Sequence, residues 1–284
     1  MSKLKRDLYF IGFGNMAQAI YQRMNQSVYE NIFLVEKSNQ RIKEIKKMDS
    51  IDSGEFFLSH HTKIIKKLSK NEVTDSDIIL LAVKPTQIKS VCTQIKGFSK
   101  FAFVISIAAG VNTSKIIKYL DYPTDRIART MPNLCAKKGM AITGIFYDGR
   151  NNSIKKTAHG SMISKIFTSI GQVLWVEHES DLDSITAISG SGPAYIYYIM
   201  NAMIDAAVEI GLKRSDAQRL VAQTIIGAGE TGKNIDNLGS EIIKVSSKGG
   251  TTEKAISIFK QKKLDTIIKQ AVKAAHKRSK ELSK

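Results

Sequence analysis

Short unbroken apolar runs alternate with amphipathic stretches through the first half of the chain. Leu8 to Ile11, Ile32 to Val35, Asp77 to Val83 and Phe101 to Ile107 are apolar at nearly every position, the pattern of strands buried on both faces, and Arg126 to Thr130 reads as a further strand. Met16 to Met24 and Arg41 to Met48 carry helical spacing between them. Strands separated by helices predict right-handed crossovers and a parallel sheet. A last apolar segment, Val173 to Val176, precedes the polar stretch Glu177 to Asp181, where the period changes. Beyond it the chain reads as helical. Ala194 to Ile210 is apolar almost all the way round, with Pro193 near its start, Ser191 or Ser189 available as a cap and Gly211 at its end. Ser215-Asp216-Ala217-Gln218 has the form of a capping box for a following helix rich in Ala and Gly. Lys254 to Lys284 alternates charge with apolar positions as an amphipathic helix does. So apolar a central helix in a helix-only half needs a cover, and a second copy of the chain is the expected one.

Composition narrows the class. The 284 residues are 43% hydrophobic and 24% charged, which fits one large or two medium globular domains and excludes a disordered or collagen-like chain. Two cysteines, Cys92 and Cys135, make no disulfide framework and stand at no metal-ligand spacing. His60-His61 has no ligand cluster near it, so no metal site is assigned. No apolar run approaches the roughly 20 residues that cross a bilayer, and the apolar stretch after the basic Met1 to Arg6 is too short for a signal peptide. A cytoplasmic protein is expected. The formal net charge of +17 would suit a nucleic-acid binder. Most of the excess is lysine on amphipathic stretches, however, so nucleic acid is not the expected partner, and the charge better serves to draw in small anions.

The chemistry is concentrated at strand ends. Gly12-Phe13-Gly14-Asn15-Met16-Ala17 follows the first strand and opens a helix. Gly12 permits the tight turn, Gly14 lets a backbone approach a pyrophosphate, and Ala17 allows close helix packing, so this turn reads as a dinucleotide site. Glu36 ends the second strand at the offset where an acid meets the adenosine ribose, which favours NAD, whereas Lys37, Ser38 and Arg41 would suit the 2'-phosphate of NADP. Lys84, Ala109 and Asn133 also follow strand ends, where ligands bind in such sheets; the plain alternative for each is an ordinary loop residue. A second anion-type stretch, Ser246-Ser247-Lys248-Gly249-Gly250-Thr251-Thr252, precedes a helix from Glu253 to Phe259, and its amides and hydroxyls can hold a carboxylate or merely cap the loop. Two motif-like stretches fail on inspection. Gly227 to Lys233 lacks the Ser or Thr of a phosphate loop, and Gly190-Ser191-Gly192 lacks the spacing and leading strand of a nucleophile elbow.

Taken together with Ala82-Val83-Lys84-Pro85, Ser106-Ile107-Ala108-Ala109-Gly110, Met131-Pro132-Asn133, Ser189-Gly190-Ser191-Gly192-Pro193-Ala194-Tyr195 and Gly249-Gly250-Thr251-Thr252, the glycine turn resembles that of the pyrroline-5-carboxylate reductases. The resemblance runs over essentially the whole chain. It implies an α/β protein: an N-terminal Rossmann-type doubly wound, mostly parallel sheet over residues 1–177, and a C-terminal all-helical oligomerisation domain over 178–284. It implies reduction of 1-pyrroline-5-carboxylate to L-proline with NADPH, NADH being possible, by a dimer or ring of dimers. Carried over residue by residue, the cofactor contacts are Phe13, Asn15, Met16, Glu36, Ser38, Ala82, Lys84, Pro85 and Ala109; the reading of the turn and strand ends adds Gly12, Gly14, Ala17, Lys37 and Asn133. The substrate contacts are Glu179, Ser247, Gly249, Gly250, Thr251 and Thr252. Thr252 is the candidate hydrogen-bond partner of the ring nitrogen, and Glu179 the candidate charge complement. Lys248, Leu134-Cys135 and Asn201 depart from the family pattern, and Glu36 is unusual for a member that prefers NADP. The alternatives are a related imine or hydroxyacid oxidoreductase, for which Lys165 and Lys213 are poorly placed as a catalytic lysine, and a non-catalytic dinucleotide- or nucleic-acid-binding protein.

Overall fold

The computed structural model describes residues 6–50, 57–69, 72–98, 102–147 and 158–283. Met1 to Lys5, Phe101 and Lys284, which figure in the expectations above, lie outside them.

The chain runs β1 (Leu8–Ile11), α1 (Asn15–Arg23), β2 (Ile32–Val35), α2 (Asn39–Ser50), β3 (Thr62–Ile65), β4 (Ile78–Leu81), α3 (Ile88–Ile95), β5 (Phe103–Ser106), α4 (Thr113–Leu120), β6 (Ile127–Met131), β7 (Ala141–Tyr147), α5 (Ala158–Thr168) and β8 (Gly171–Trp175). The helices α6 (Asp181–Ile185), α7 (Gly192–Glu209), α8 (Arg214–Gly232), α9 (Leu238–Val245), α10 (Thr251–Gln261) and α11 (Leu264–Ser283) follow.

All eight strands form one sheet in the order β3-β2-β1-β4-β5-β6-β7-β8. Its first six strands are parallel in the Rossmann order, and β7 pairs antiparallel with β6. The unbroken apolar runs have a direct structural reason. In β1, Leu8 and Phe10 pack into one core with Ala17, Ile20 and Tyr21 of α1 and Ile163 and Phe167 of α5. Tyr9 and Ile11 point the other way, into a second core with Ile88, Val91, Cys92 and Ile95 of α3 and Ile116 and Leu120 of α4. Helices therefore cover both faces, and every position of β1, β4 and β5 is buried. Strand order reverses between β1 and β4, which opens a crevice at their carboxyl ends.

Two strands were not foreseen. β3 carries Lys63 and lies at the sheet edge, with no residue fully buried; the apolar pattern of β7 is broken at Thr143 and Gly144, and a Cβ added at Gly144 would strike Ile185 and Leu182 of α6.

Residues up to Gly190 form one compact unit together with the chain from His276 onward; Ser191 to Ala275 form a second. Within the second, α7 packs on α8, and Ala217 and Val221 are buried. No residue of α7 is buried in the single chain: Ile196, Tyr197, Ile199 and Met203 are exposed, and Tyr198 is 81% exposed.

Three local expectations are corrected. Neither Ser191 nor Ser189 caps α7, because the chain enters it from a π-helical turn, Thr186–Gly190, that already carries helical backbone. Ser215 caps nothing, because α8 starts one residue earlier, with Lys213 at its N-cap and no side-chain capping bond. The amphipathic C-terminal stretch is two helices, broken where Lys263 adopts a left-handed conformation at φ 53°.

Candidate functional site

A cleft of about 550 Å³ lies at the carboxyl ends of β1, β2 and β4. Of the residues expected to meet a dinucleotide, it gathers Gly12, Phe13, Gly14, Glu36, Lys37, Ser38, Arg41, Ala82 and Lys84, and adds Gln87 and Ser90. Gln87 and Ser90 carried no recognisable motif; their helical position beside Lys84 is evident only once β4 and α3 are placed.

Two glycines make the cleft usable by an anion. Gly12 has φ +85°, and a Cβ there would lie 2.7 Å from Val83 Cγ1 and 3.1 Å from the Ala82 carbonyl oxygen. Its amide donates to the Val35 carbonyl at 2.9 Å. Gly14 is the N-cap of α1, makes no side-chain capping bond, and has nothing within 4 Å of an added Cβ. Among the described residues no side chain caps the first amides of α1, and the space beside Gly14 is open, which is the arrangement a phosphate needs. A dinucleotide pyrophosphate fits this cradle.

The neighbouring side chains divide their tasks. Phe13 contributes only backbone, since its ring is fully buried edge-on against Phe10 and Tyr21. Its carbonyl accepts from Arg41 Nε and Nη2 at 3.3 and 3.2 Å, while Arg41 Nη1 meets Glu44 at 2.8 Å. That hydrogen bond from Arg41 holds the Glu44 carboxyl below its ordinary range. Arg41 is therefore committed to clipping the glycine turn onto α2. Glu36 Oε1 accepts the Ser38 amide at 3.0 Å, Ser38 Oγ accepts the Arg41 amide at 3.2 Å, and Lys37 Nζ donates to Gln94. A smaller, mainly apolar hollow adjoins, lined by Val35, Lys37, Leu68, Val91 and Ile95.

Asn15, Met16, Ala17, Pro85, Ala109 and Asn133 do not line the cleft. Ala17 is buried against the core, as close packing of α1 requires. Pro85 opens a single 3-10 turn that leads into α3. Ala109 lies in the turn from β5 to α4. Asn133 is buried, donates to Ser189 Oγ at 2.9 Å and accepts the Cys135 amide at 3.2 Å.

Glu179 is engaged on both oxygens. Thr113 donates its amide to one at 2.7 Å and its hydroxyl to the other at 2.8 Å, and Arg129 Nη1 lies 3.2 Å from the first.

In the second unit, Gly249 has φ +73° and Gly250 is the N-cap of α10 without a side-chain capping bond. The Gly249 amide donates to Glu253 Oε2 at 2.6 Å, and the Gly250 amide to the Ser247 carbonyl at 2.9 Å. Thr251 and Thr252 open the helix. The hydroxyl of Ser246, just before this loop, is buried with no hydrogen-bond partner among the described residues. Those residues also contain no cluster of His, Cys, Asp and Glu able to hold a metal, and no helix long and apolar enough to cross a membrane.

Comparison with known proteins bears on both units. The pyrroline-5-carboxylate reductase dimerisation family matches residues 179–282, and the coenzyme F420-dependent NADP oxidoreductase family matches residues 7–110. A pyrroline-5-carboxylate reductase of Pasteurella multocida is 33% identical over 98% of both chains, and one of Pseudomonas aeruginosa is 33% identical over 81% of this chain and 82% of its own. The chain belongs to the pyrroline-5-carboxylate reductase family. Among solved structures, the reductase of Coxiella burnetii is similar with a TM-score of 0.79 and 32% identity, covering 99% of each chain. That of Plasmodium falciparum, crystallised with NADP bound, gives 0.79 and 27% with the same coverage. In this reductase-family chain the dimerisation match spans the helices whose apolar faces a single copy leaves uncovered.

Proposed function

We propose that this chain reduces 1-pyrroline-5-carboxylate to L-proline, the last step of proline synthesis, at the expense of NADPH or NADH. The observation that carries the proposal is the agreement of the whole chain with one enzyme family, together with a bare glycine cradle at the point where its sheet reverses order.

The protonated cyclic imine is already electrophilic, so no histidine base is required. The reduced nicotinamide, when bound, supplies the hydride; it adds to the imine carbon, and the C=N π pair becomes the lone pair of the ring nitrogen. The protein's part is placement. The first amides of α1 hold the pyrophosphate, and Glu36, Lys37 and Ser38 meet the adenosine ribose. Ala82, Lys84, Pro85, Ala109 and Asn133 belong to the nicotinamide side. Ser247, Gly249, Gly250 and Thr251 hold the substrate carboxylate at the start of α10, where helix amides favour an anion. The Thr252 hydroxyl accepts from the iminium N–H. Glu179 enters through what it holds, since both of its oxygens are engaged by neighbours.

In this proposal residues 1–177 bind the dinucleotide, and residues 178–284 bind substrate and join copies into a dimer or a ring of dimers. The cytoplasm is the proposed compartment. Replacing Thr252 by Ala tests the chemistry: turnover falls about 100- to 1,000-fold, the range for losing one transition-state hydrogen bond, while dinucleotide affinity stays unchanged. Unchanged turnover removes Thr252 from the mechanism.

A further inference from the structure

The turn from β5 to α4, residues 107–112, is held from two sides by groups distant in sequence. On one side stands Glu179, which receives both the amide and the hydroxyl of Thr113, the first residue of α4. Glu179 is itself anchored by Arg129 of β6, whose side chain is only 4% exposed, against 21% for Glu179. Arg129 pairs with Ser106 across β6 and β5, at the strand end from which the turn departs. The Ser106 hydroxyl accepts the Ala108 amide at 3.3 Å, and Asn112 caps α4 by accepting the Lys115 amide at 3.0 Å.

On the other side stands the last turn of α11. A Cβ added to Gly110 would lie 2.9 Å from Leu282 Cβ and 3.1 Å from the Leu282 carbonyl, so the end of the helix rests directly on this glycine. Lys115 Nζ donates to the Ser283 carbonyl at 3.1 Å, a cation at a helix C-terminus. The helix end is fastened in turn: Ser279 and Ser283 donate their hydroxyls to Asp183 Oδ1 at 2.6 and 3.2 Å, with Asp183 and Ser279 both buried. These residues all belong to the same compact unit as the sheet.

We infer that Glu179 and the C-terminal turn of α11 are positioning elements that fix the Ala108-Ala109-Gly110 turn for the nicotinamide half of the dinucleotide. The inference rests on the proposed function for what the turn meets. A loosened turn leaves the glycine cradle intact, since Gly12 and Gly14 are held by β1, β4 and Arg41. The adenosine half then binds as before, and alignment at the reacting carbon suffers; small misplacements there cost up to about 100-fold in rate.

Two perturbations separate positioning from general damage. Thr113→Val removes one of the hydrogen bonds to Glu179 without changing side-chain volume, and Thr113→Ser restores the hydroxyl. A chain ending at Glu281 removes the Gly110 and Lys115 contacts but keeps the buried Ser279–Asp183 bond. Binding of ADP and of reduced dinucleotide is followed by calorimetry, and kcat and KM are measured beside them. For Thr113→Val and for the shortened chain, ADP affinity stays within about twofold, dinucleotide affinity falls about 5- to 10-fold towards that of ADP, and kcat falls more than KM rises. Thr113→Ser recovers the original values. Equal loss of ADP and dinucleotide affinity, or no loss of either, overturns the inference. Because the two affinities are compared without substrate, this outcome is read even if the wild-type chain reduces no pyrroline carboxylate, which would sink the proposed function instead.

Discussion

Gly12 and Gly14 stand two residues apart in one turn, yet the structure assigns them different costs on replacement by alanine. At Gly12 the backbone is left-handed, φ +85°, and the new methyl meets Val83 Cγ1 at 2.7 Å and the Ala82 backbone at 3.1 to 3.2 Å. The left-handed conformation costs an L-residue about 1 to 2 kcal/mol. Overpacking adds about 1 to 3 kcal/mol, since Val83 is branched at Cβ and the other neighbour is main chain. Reduced freedom of the unfolded chain returns about 0.4 to 1 kcal/mol. Gly12→Ala should therefore destabilise the dinucleotide unit by roughly 2 to 4 kcal/mol, a fall in melting temperature of about 5 to 15 °C for a unit of this size. At Gly14 the backbone is extended, φ −78° and ψ −174°, and an added methyl meets nothing within 4 Å. Only the weaker N-cap preference of alanine remains, about 0.5 to 1 kcal/mol. That same open space is where a pyrophosphate would rest against the bare backbone, so Gly14→Ala should weaken dinucleotide binding about 10- to 100-fold with the fold intact. Thermal melts without ligand and fluorescence titrations with reduced dinucleotide measure both quantities. A Gly14→Ala protein that binds as tightly as the parent refutes the cradle, and a Gly12→Ala protein that melts unchanged refutes the steric reasoning.

Further outcomes follow from individual side chains. Glu36→Ser should shift preference towards NADPH by about tenfold, because a carboxylate beside the ribose repels the 2'-phosphate while the Arg41 fork is already spent on Phe13 and Glu44; unchanged kcat/KM ratios for NADPH and NADH would exclude Glu36 as a determinant. Tyr198→Glu, on the apolar face of α7 that one chain leaves 81% exposed at this residue, should convert the oligomer to smaller species in sedimentation at micromolar concentration; an unaltered sedimentation coefficient places the interface elsewhere. Burial raises the Cys92 thiol to about 12, so it stays protonated throughout neutral and mildly alkaline pH. Titration of the native protein with a thiol reagent at pH 8 should therefore modify Cys135, which is partly exposed, well before Cys92. Equal rates for the two would contradict the burial of α3.

Much of the sheet was legible in the sequence where both faces of a strand are covered, because such strands are apolar at nearly every position unless, as at Arg129 and Thr130 of β6, a buried polar group is partnered. β1, β2, β4 and β5 meet that condition, and their apolar runs stand out. β3 and β7 do not: an edge strand tolerates Lys63, and β7 carries Gly144 to admit α6. The glycine turn was legible because its residue types follow from backbone geometry, and Gly12 and Gly14 are placed as that geometry requires. Capping at Ser191 was misread because a π-helical turn runs into α7, and at Ser215 because α8 begins one residue earlier, at Arg214, after an extended Lys213. The commitment of Arg41 to Phe13 and of Glu179 to Thr113 and Arg129 joins residues far apart in sequence, and no local pattern announces either. The return of α11 to the first unit is equally silent, since Ser279, Leu282 and Ser283 read as an ordinary amphipathic end.

The central claim is hydride delivery from a bound reduced dinucleotide to a small cyclic imine. Reduced cofactor carrying deuterium at the transferable C4 position, supplied as NADPH and as NADH in turn with pyrroline-5-carboxylate, tests it directly by mass spectrometry of the product. Proline carrying one deuterium, on the ring carbon that had been doubly bonded to nitrogen, is the predicted result. Recovery of unchanged imine, or of proline without the label, would contradict it.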